Sequence, residues 1–270
     1  MKRYNILFKR LKNSNEGAFF PFVVLGDPSP LLSLKIIDIL IENGADGLEL
    51  GIPFSDPLVD GPVIQNAHMR AFNSGITVKK SFKMITDIRD KYSDLPIGLL
   101  TYANLVFNNG IENFYIRCSE LNVDSVLIAD LPIEESEVFS QKALQYNINP
   151  IFVCPPNPSD NLLREISVRS YGYVYLLSRS GVTGTEKPAS LTSQQVINKL
   201  RLYNAAPLMQ GFGISNINQA KKIILTGVDG IIIGSAIIKV IENNYKKIDL
   251  MLNKLKILAN KFKSASLKLC

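Results

Sequence analysis

Short apolar runs of strand length alternate with longer amphipathic stretches along the whole 270-residue chain. The predicted strands are 19–25, 47–51, 97–101, 125–130, 150–154, 173–178, 207–211 and 230–234. The predicted helices between them include 31–42, 78–91, 111–121, 135–146, 161–168, 194–202 and 217–225. This alternation is typical of a parallel α/β protein. The chain length suits one (β/α)8 barrel over 1–270, with an extra N-terminal helix and a short helix, 236–242, after the last strand.

A weak internal repeat supports the regular alternation. Its three copies are 44–51, 122–129 and 227–234. In each copy a Gly or Asn, suited to the left-handed end of a helix, leads through an Asp into a buried strand. Glu49 occupies the position that Leu127 and Ile232 hold in the other copies. Because side chains alternate between the two faces of a strand, the pattern predicts that Glu49 points into the barrel.

The composition narrows the possible chemistry. The chain has one histidine, three cysteines and no tryptophan, so sites that need several imidazoles or four thiolates are excluded. Carboxylates, lysine or tyrosine are left for acid and base work. The single histidine, His68, is expected on a short helix and is given no role in the mechanism. Cys154 is expected to be a small core residue rather than a nucleophile.

Other features indicate where the protein works. The cysteines are odd in number and widely spaced, which is typical of a reducing compartment. Charged residues interrupt the N-terminus too early for a signal peptide, and no apolar run is long enough to span a membrane. We therefore predict a cytoplasmic protein. The net charge of +6 comes with a lysine cluster over 246–268, which we interpret as a solvated helix face rather than a nucleic-acid surface.

Glu49 is the strongest candidate for catalysis. A carboxyl at an interior strand position loses its hydration, which raises its pKa toward the range that a general acid or base needs. The alternative is a structural carboxylate paired with Lys, Arg or backbone amides. The predicted strands contain no Lys, Arg or His that could pair with it, which favours catalysis and disfavours a Schiff-base lysine.

Several loops at the catalytic end of the predicted barrel carry further candidates, each with a simpler structural alternative. Asp56 and Asp60 lie in a proline-rich loop and could be functional or ordinary turn residues. The glycines of 211–215 and 234–236 could bind phosphate together with a helix N-terminus, or could only make turns. The polar segment 178–188 could be a lid or a simple connection. The apolar patch 105–107, expected in a loop, could be tucked away or could meet a partner.

Several of these sequence motifs resemble those of a known family. Segments 48–57, 60–62, 102–104, 178–184 and 210–214 closely resemble those of the tryptophan synthase alpha chain, over nearly the whole chain. The resemblance implies a (β/α)8 barrel and a lyase of tryptophan biosynthesis, which cleaves indole-3-glycerol phosphate to indole and glyceraldehyde 3-phosphate. It also implies a beta-chain partner in an α2β2 complex. The pyridoxal phosphate would belong to that partner, and this chain would need no cofactor or metal of its own.

The resemblance also implies roles for individual residues. Glu49 corresponds to the general acid/base, and Asp60 to the carboxylate that engages the indole N–H. The phosphate-binding positions are Gly184, Gly213, Gly234 and Ser235. The substrate pocket is expected to contain Phe22, Leu100, Leu127, Ala129, Tyr175, Thr183, Phe212 and Ile232. The expected interface and loop-ordering residues are Asp56, Asn104 and Phe107.

Two other functions remain as alternatives. A phosphosugar isomerase or epimerase could use Glu49 as its base. A non-catalytic barrel could serve only to activate a larger enzyme, and it would be expected to have lost a carboxylate or the lid motif. Glu49, Asp60 and 181–184 are all present, which disfavours this second alternative.

Overall fold

The fold is a closed barrel of parallel strands, seen in a computed structural model that describes residues 2–108, 110–177 and 194–268. The strands are β1 (Ala18–Val24), β2 (Leu48–Gly51), β3 (Ile97–Thr101), β4 (Ser125–Ile128), β5 (Asn149–Cys154), β6 (Val174–Leu177), β7 (Leu208–Gly211) and β8 (Gly230–Ile233). Each strand pairs in parallel with the next one in sequence, and β8 pairs with β1. The predicted (β/α)8 barrel is therefore confirmed.

Helices surround the barrel and connect its strands. They are α1 (Lys2–Asn13), α2 (Pro30–Glu42), α3 (Pro62–Asn73), α4 (Val78–Lys91), α5 (Ala103–Asn108), α6 (Ile111–Glu120), α7 (Glu137–Gln145), α8 (Asp160–Arg169), α9 (Gln194–Leu202), α10 (Ile217–Ile224), α11 (Ser235–Asn244) and α12 (Ile248–Ala265). A 3₁₀ turn, Ile133–Glu135, precedes α7. Within the described ranges, no helix combines the length and apolar character needed to cross a membrane.

The aspartates of the internal repeat bind neighbouring strands together at the amino-terminal end of the barrel. Each carboxylate accepts a backbone N–H from the start of the preceding strand. The contacts are Asp46 with Phe19 at 3.0 Å, Asp124 with Ile97 at 2.9 Å and Asp229 with Leu208 at 2.7 Å. The repeat therefore has a structural cause, because one side chain per copy holds two strands in register.

Helix α1 covers this amino-terminal end of the barrel. Tyr4, Leu7 and Leu11 are buried on one face of the helix. The Tyr4 hydroxyl lies 2.8 Å from Ser125 Oγ, and its ring packs edge-on against Tyr173 with centroids 5.6 Å apart. The barrel floor is thus a packed layer of aromatic side chains beneath the interior that the strands enclose.

Helix α12 explains the lysine-rich C-terminus. Its buried face carries Met251, Leu255 and Phe262, and the helix packs against α2, α10 and α11. On the other face Lys254, Lys256 and Lys261 are exposed. Lys263 is different, because its Nζ lies 2.9 Å from the repeat aspartate Asp46. One side of the helix is therefore core, and the other carries the predicted solvated lysines.

Candidate active site

A cavity of about 150 Å³ opens at the carboxyl-terminal ends of the strands. Its lining includes the predicted residues Phe22, Glu49, Asp60, Leu100, Leu127, Ala129, Tyr175, Phe212, Gly213, Ile232, Gly234 and Ser235. It also includes Ile214, from the predicted glycine segment, and Val59, Ile64, Val153 and Leu177, which the sequence analysis did not single out. The predicted Thr183 and Gly184 lie in 178–193, outside the described residues. The three positions related by the internal repeat thus meet in one cavity.

Glu49 lies on β2 with its side chain in the cavity and only 1% of its surface exposed. Its flanking residues, Leu48 and Leu50, are fully buried, as expected where the strand packs against outer helices. Among the described residues, its side-chain partner is the Tyr173 hydroxyl, which donates to Oε1 at 3.0 Å. Tyr173 immediately precedes β6, and nothing in its local sequence marks it as a site residue.

The pKa of Glu49 is raised from 4.5 to about 8, chiefly because burial removes the hydration of the charged form. The hydrogen bond from Tyr173 lowers the pKa somewhat, and the nearby charge of Asp60 raises it. At neutral pH the carboxyl therefore keeps its proton for most of the time. It can still ionise within about one pH unit of neutrality, as a general acid/base requires.

Asp60 ends the proline-rich loop after β2 and is 3% exposed. Two side chains meet at its Oδ2 atom. The Tyr102 hydroxyl donates at 2.6 Å, and Nε2 of His68 lies at 3.3 Å. The Gln65 amide donates to the backbone carbonyl of Asp60 at 2.8 Å. One carboxyl oxygen and the backbone carbonyl of Asp60 are therefore both held by side chains.

His68, to which the sequence analysis gave no role in the mechanism, lies beside Asp60. It lies on α3, as predicted, but it is 2% exposed and contacts the second cavity carboxyl. The helical spacing of apolar residues could have indicated its burial. The buried face of α3 consists of Ile64, Ala67, His68 and Ala71. A polar residue on such a face needs a hydrogen-bond partner inside the protein.

The proposed phosphate end of the cavity has two special backbone segments. Phe212 and Gly213 have φ angles of 64° and 72°, in the left-handed region, at the turn after β7. The ring of Phe212 packs edge-on against Tyr175 with centroids 6.0 Å apart. Gly234 is the N-cap of α11 and supplies no side-chain cap, and Ser235 begins the helix. The start of α11 therefore lies at the cavity wall, and the amides of its first turn have no partner within the helix.

Three predicted residues lie outside the cavity. Asp56 and Asn104 are exposed, and Phe107 exposes 67% of its surface. The patch 105–107 is not a loop as expected but part of α5, where Val106 is fully buried. Because consecutive helical residues point in different directions, the patch divides into a core residue and an exposed phenyl ring.

Comparison with known proteins identifies the family. The family model described as "Tryptophan synthase alpha chain" matches residues 8–267. The chain belongs to the tryptophan synthase alpha chain family. The family's alpha chain from Erwinia tasmaniensis is 57% identical over 266 residues, covering 98% of this chain and 99% of the relative. That from Cronobacter sakazakii is 58% identical over 267 residues, with 99% of each chain covered.

Solved structures agree with this assignment to the tryptophan synthase alpha chain family. The tryptophan synthase subunit alpha from Legionella pneumophila superposes with a TM-score of 0.88 at 28% identity, covering 100% of both chains. A structure described as a tryptophan synthase complex from Pyrococcus furiosus gives a TM-score of 0.81 at 30% identity, covering 92% of this chain and 98% of that one. The resemblance seen in the motifs is therefore confirmed. The chain is an enzyme, a lyase of the alpha-subunit type.

The lining of the cavity determines which chemistry it can support. Among the described ranges, no three His, Cys, Asp or Glu side chains are grouped as a metal site would require. The cavity instead combines an apolar lining with two buried carboxyls, Glu49 and Asp60. Such a site can bind an aromatic ring and can move a proton beside it.

Proposed function

We propose that the chain cleaves indole-3-glycerol phosphate to indole and glyceraldehyde 3-phosphate in this cavity, with Glu49 and Asp60 as catalytic residues. The observation that carries the proposal is a buried carboxyl that keeps its proton near neutral pH, Glu49, in an apolar cavity that also contains Asp60. The apolar walls suit the indole ring. The two carboxyls supply the polar contacts that fix the orientation of the ring.

In the first step Glu49 donates its proton to carbon C3 of the indole. Protonation at C3 leaves an iminium cation whose positive charge lies largely at the ring nitrogen. The Asp60 carboxylate accepts the hydrogen bond from this N–H and stabilises the cation. A charge-assisted hydrogen bond in a water-poor cavity is stronger than a neutral one, and it strengthens as the charge develops.

In the second step the Glu49 carboxylate removes the proton from the hydroxyl on the carbon attached to C3. That carbon becomes the aldehyde carbon as its bond to the indole breaks. The electrons of the broken bond return to the ring and neutralise the iminium. Glu49 ends the cycle protonated, as it began, so the reaction needs no oxidant, reductant or external base.

The phosphate of the substrate is proposed to bind at the far end of the cavity. Gly213 and Gly234 allow the backbone to approach closely, and Ser235 adds a hydroxyl at the start of α11. Backbone amides at a helix N-terminus favour an anion, because they are unpaired donors at the positive end of the helix dipole. Gly184 and Thr183, from the predicted lid 178–188, are proposed to complete this end.

The partner is proposed to be a tryptophan synthase beta chain, in an α2β2 complex that receives the indole. Asp56, Asn104 and the exposed Phe107 would contribute to the contact surface. The pyridoxal phosphate would belong to the beta chain, and this chain would act without a cofactor, as one domain over 1–270, in the cytoplasm. No nucleic acid takes part in this function.

The proposal is tested by indole release from indole-3-glycerol phosphate, with and without the beta chain. We expect Glu49→Gln to lower kcat by about 10²- to 10⁴-fold and Asp60→Asn to remove most of the activity. Glu165→Gln, which makes the same chemical change at an exposed position on α8, is the matched control and should retain the parent rate. Parent-like turnover by Glu49→Gln would overturn the assigned roles.

A second assay separates the lyase from a phosphosugar isomerase. An isomerase that uses Glu49 as its base would exchange a substrate C–H hydrogen with solvent deuterium. We expect no such exchange when the chain is incubated with triose or pentose phosphates in D₂O. Exchange that depends on Glu49, without indole release, would favour the isomerase.

A further inference from the structure

The single histidine of the chain lies where an imidazole needs two partners. His68 is on the buried face of α3, between the cavity loop and the barrel, and only 2% of its surface is exposed. Burying a polar ring costs free energy unless its nitrogens are hydrogen-bonded. Both ring nitrogens have partners within 3.3 Å. The ring is therefore a specifically held polar group on an otherwise apolar helix face.

These two contacts determine where the proton of the imidazole lies. The backbone N–H of Phe54 donates to Nδ1 of His68 at 3.3 Å, so Nδ1 must carry a lone pair. A neutral imidazole then carries its proton on Nε2, which faces Oδ2 of Asp60 at 3.3 Å. A charged imidazolium would place an Nδ1–H against the Phe54 N–H, with two donors facing each other. The Phe54 contact therefore favours the tautomer in which Nε2 is the donor.

A second acidic group lies near His68. Asp27 interacts electrostatically with His68 in addition to Asp60. Asp27 is occupied by Arg70, which lies two residues further along α3 and donates to its carboxylate at 2.7 and 2.9 Å. This ion pair largely cancels the charge of Asp27 near the imidazole.

Phe54 and Asp60 lie at opposite ends of the loop that supplies the second carboxyl, and His68 contacts both. Tyr102 contacts both as well, because its ring stacks on Phe54 with centroids 4.8 Å apart and its hydroxyl donates to Asp60 at 2.6 Å. Two side chains therefore bridge the loop and converge on the same carboxylate oxygen. Two donors to one oxygen restrict rotation of the carboxyl about its Cβ–Cγ bond.

We infer that His68, as a neutral Nε2–H tautomer, is a positioning residue that holds the Asp60 carboxyl in the orientation needed to meet the indole N–H. The inference rests on the catalytic role proposed above for Asp60. Contacts of 3.3 Å are long for hydrogen bonds, and hydrogen bonds in empty catalytic sites commonly tighten when substrate binds. A misplacement of about 1 Å at such a group can cost about 100-fold in rate, so a residue without substrate contact can still control kcat.

Two near-isosteric substitutions separate the two contacts. In His68→Gln the side-chain amide reaches the position of Nε2, so it can donate to Asp60 but does not reproduce the Nδ1 acceptor. In His68→Asn the amide ends at the position of Nδ1, so it can accept from Phe54 but cannot reach Asp60. We expect His68→Gln to keep kcat for indole release within about threefold of the parent, and His68→Asn to lower it by about 10-fold or more.

The kinetic signature of positioning is a selective loss in kcat. Because His68 does not line the cavity, the KM for indole-3-glycerol phosphate should change by less than about threefold in both variants. Circular dichroism and urea denaturation of each variant show whether it is folded. Equal kcat values for folded His68→Asn and His68→Gln would overturn the inference, and so would a loss in His68→Gln as large as that in His68→Asn.

A spectroscopic test needs no turnover and no variant. Because His68 is the only histidine, protein labelled with ¹⁵N-histidine gives signals from one imidazole. We expect the proton of the neutral ring to lie on Nε2 and not on Nδ1, and Asp60→Asn to shift the Nε2 signal. An Nδ1–H tautomer, an imidazolium or a pair of averaged signals would overturn the inference. If the tautomer is as expected but Asp60→Asn retains full cleavage, the proposed role of Asp60 fails while the contact stands.

Discussion

Replacing Glu49 by Gln is expected to stabilise the fold while removing activity, and the size of the effect follows from the environment of the carboxyl. Glutamine has nearly the same shape, and its carbonyl oxygen can still accept the hydrogen bond from Tyr173. The variant cannot ionise. Residue 49 of the variant therefore adds no pH dependence to the free energy of unfolding, whereas Glu49 of the parent does.

The sign of that contribution follows from the two pKa values. The Glu49 side chain has a pKa of about 8 in the folded chain and 4.5 in the absence of burial. Between these values the unfolded chain releases the proton while the folded chain keeps it, so the stability of the parent falls as the pH rises. The fall is about 1.4 kcal/mol per pH unit. It reaches about 3 kcal/mol at pH 7 and at most about 5 kcal/mol above pH 8.

The assay is urea denaturation of the parent and of Glu49→Gln at pH 5, 7 and 9. At pH 5 the two unfolding free energies should differ by less than about 1 kcal/mol, and at pH 7 the variant should be more stable by about 3 kcal/mol. Glu165→Gln, at an exposed position on α8, is the matched control and should show no such trend. A difference between parent and Glu49→Gln that is independent of pH would refute the reasoning. Gain in stability with loss of function is typical of a catalytic group held in an unfavourable environment.

Three further outcomes test other contacts. Tyr173→Phe removes a hydroxyl that lowers the pKa of Glu49. The alkaline limb of the pH profile of kcat/KM for indole release should therefore move to higher pH. An unmoved limb would contradict this. Arg70→Met leaves the buried Asp27 without its ion pair and should lower the free energy of unfolding in urea by about 3–5 kcal/mol. Adding Asp27→Asn should recover part of that loss. Strictly additive effects of the two substitutions would exclude the coupling. Phe107→Asp should weaken beta-chain binding, measured by calorimetry, at least about tenfold. The free energy of unfolding of the isolated chain should stay within about 0.5 kcal/mol of the parent. Unchanged affinity would remove Phe107 from the proposed interface.

Much of the barrel could be predicted from the order of residues alone. The alternation of strands and helices, the strand bounds to within two residues and the inward orientation of Glu49 all follow from local periodicity. The repeat Gly/Asn–x–Asp pattern marked the start of three strands, because each Asp holds a neighbouring strand by its first backbone amides. These features depend on contacts that recur at regular intervals, and such contacts leave a period in the sequence.

The environment of the two carboxyls was decided only by the tertiary structure. Tyr173 meets Glu49 across 124 positions of the chain, and Tyr102 meets Asp60 across 42. Closure of the barrel brings the start of β6 near β2, and the segments that follow β2 and β3 meet because these strands are neighbours in the sheet. No local spacing shows which side chains then meet. His68 is the intermediate case. The helical spacing of its apolar neighbours places it on the buried face of α3. Its contact with Asp60 depends on how the proline-rich loop packs against that helix. Sequence therefore determined which groups face inward, and packing determined which of them are joined by a hydrogen bond.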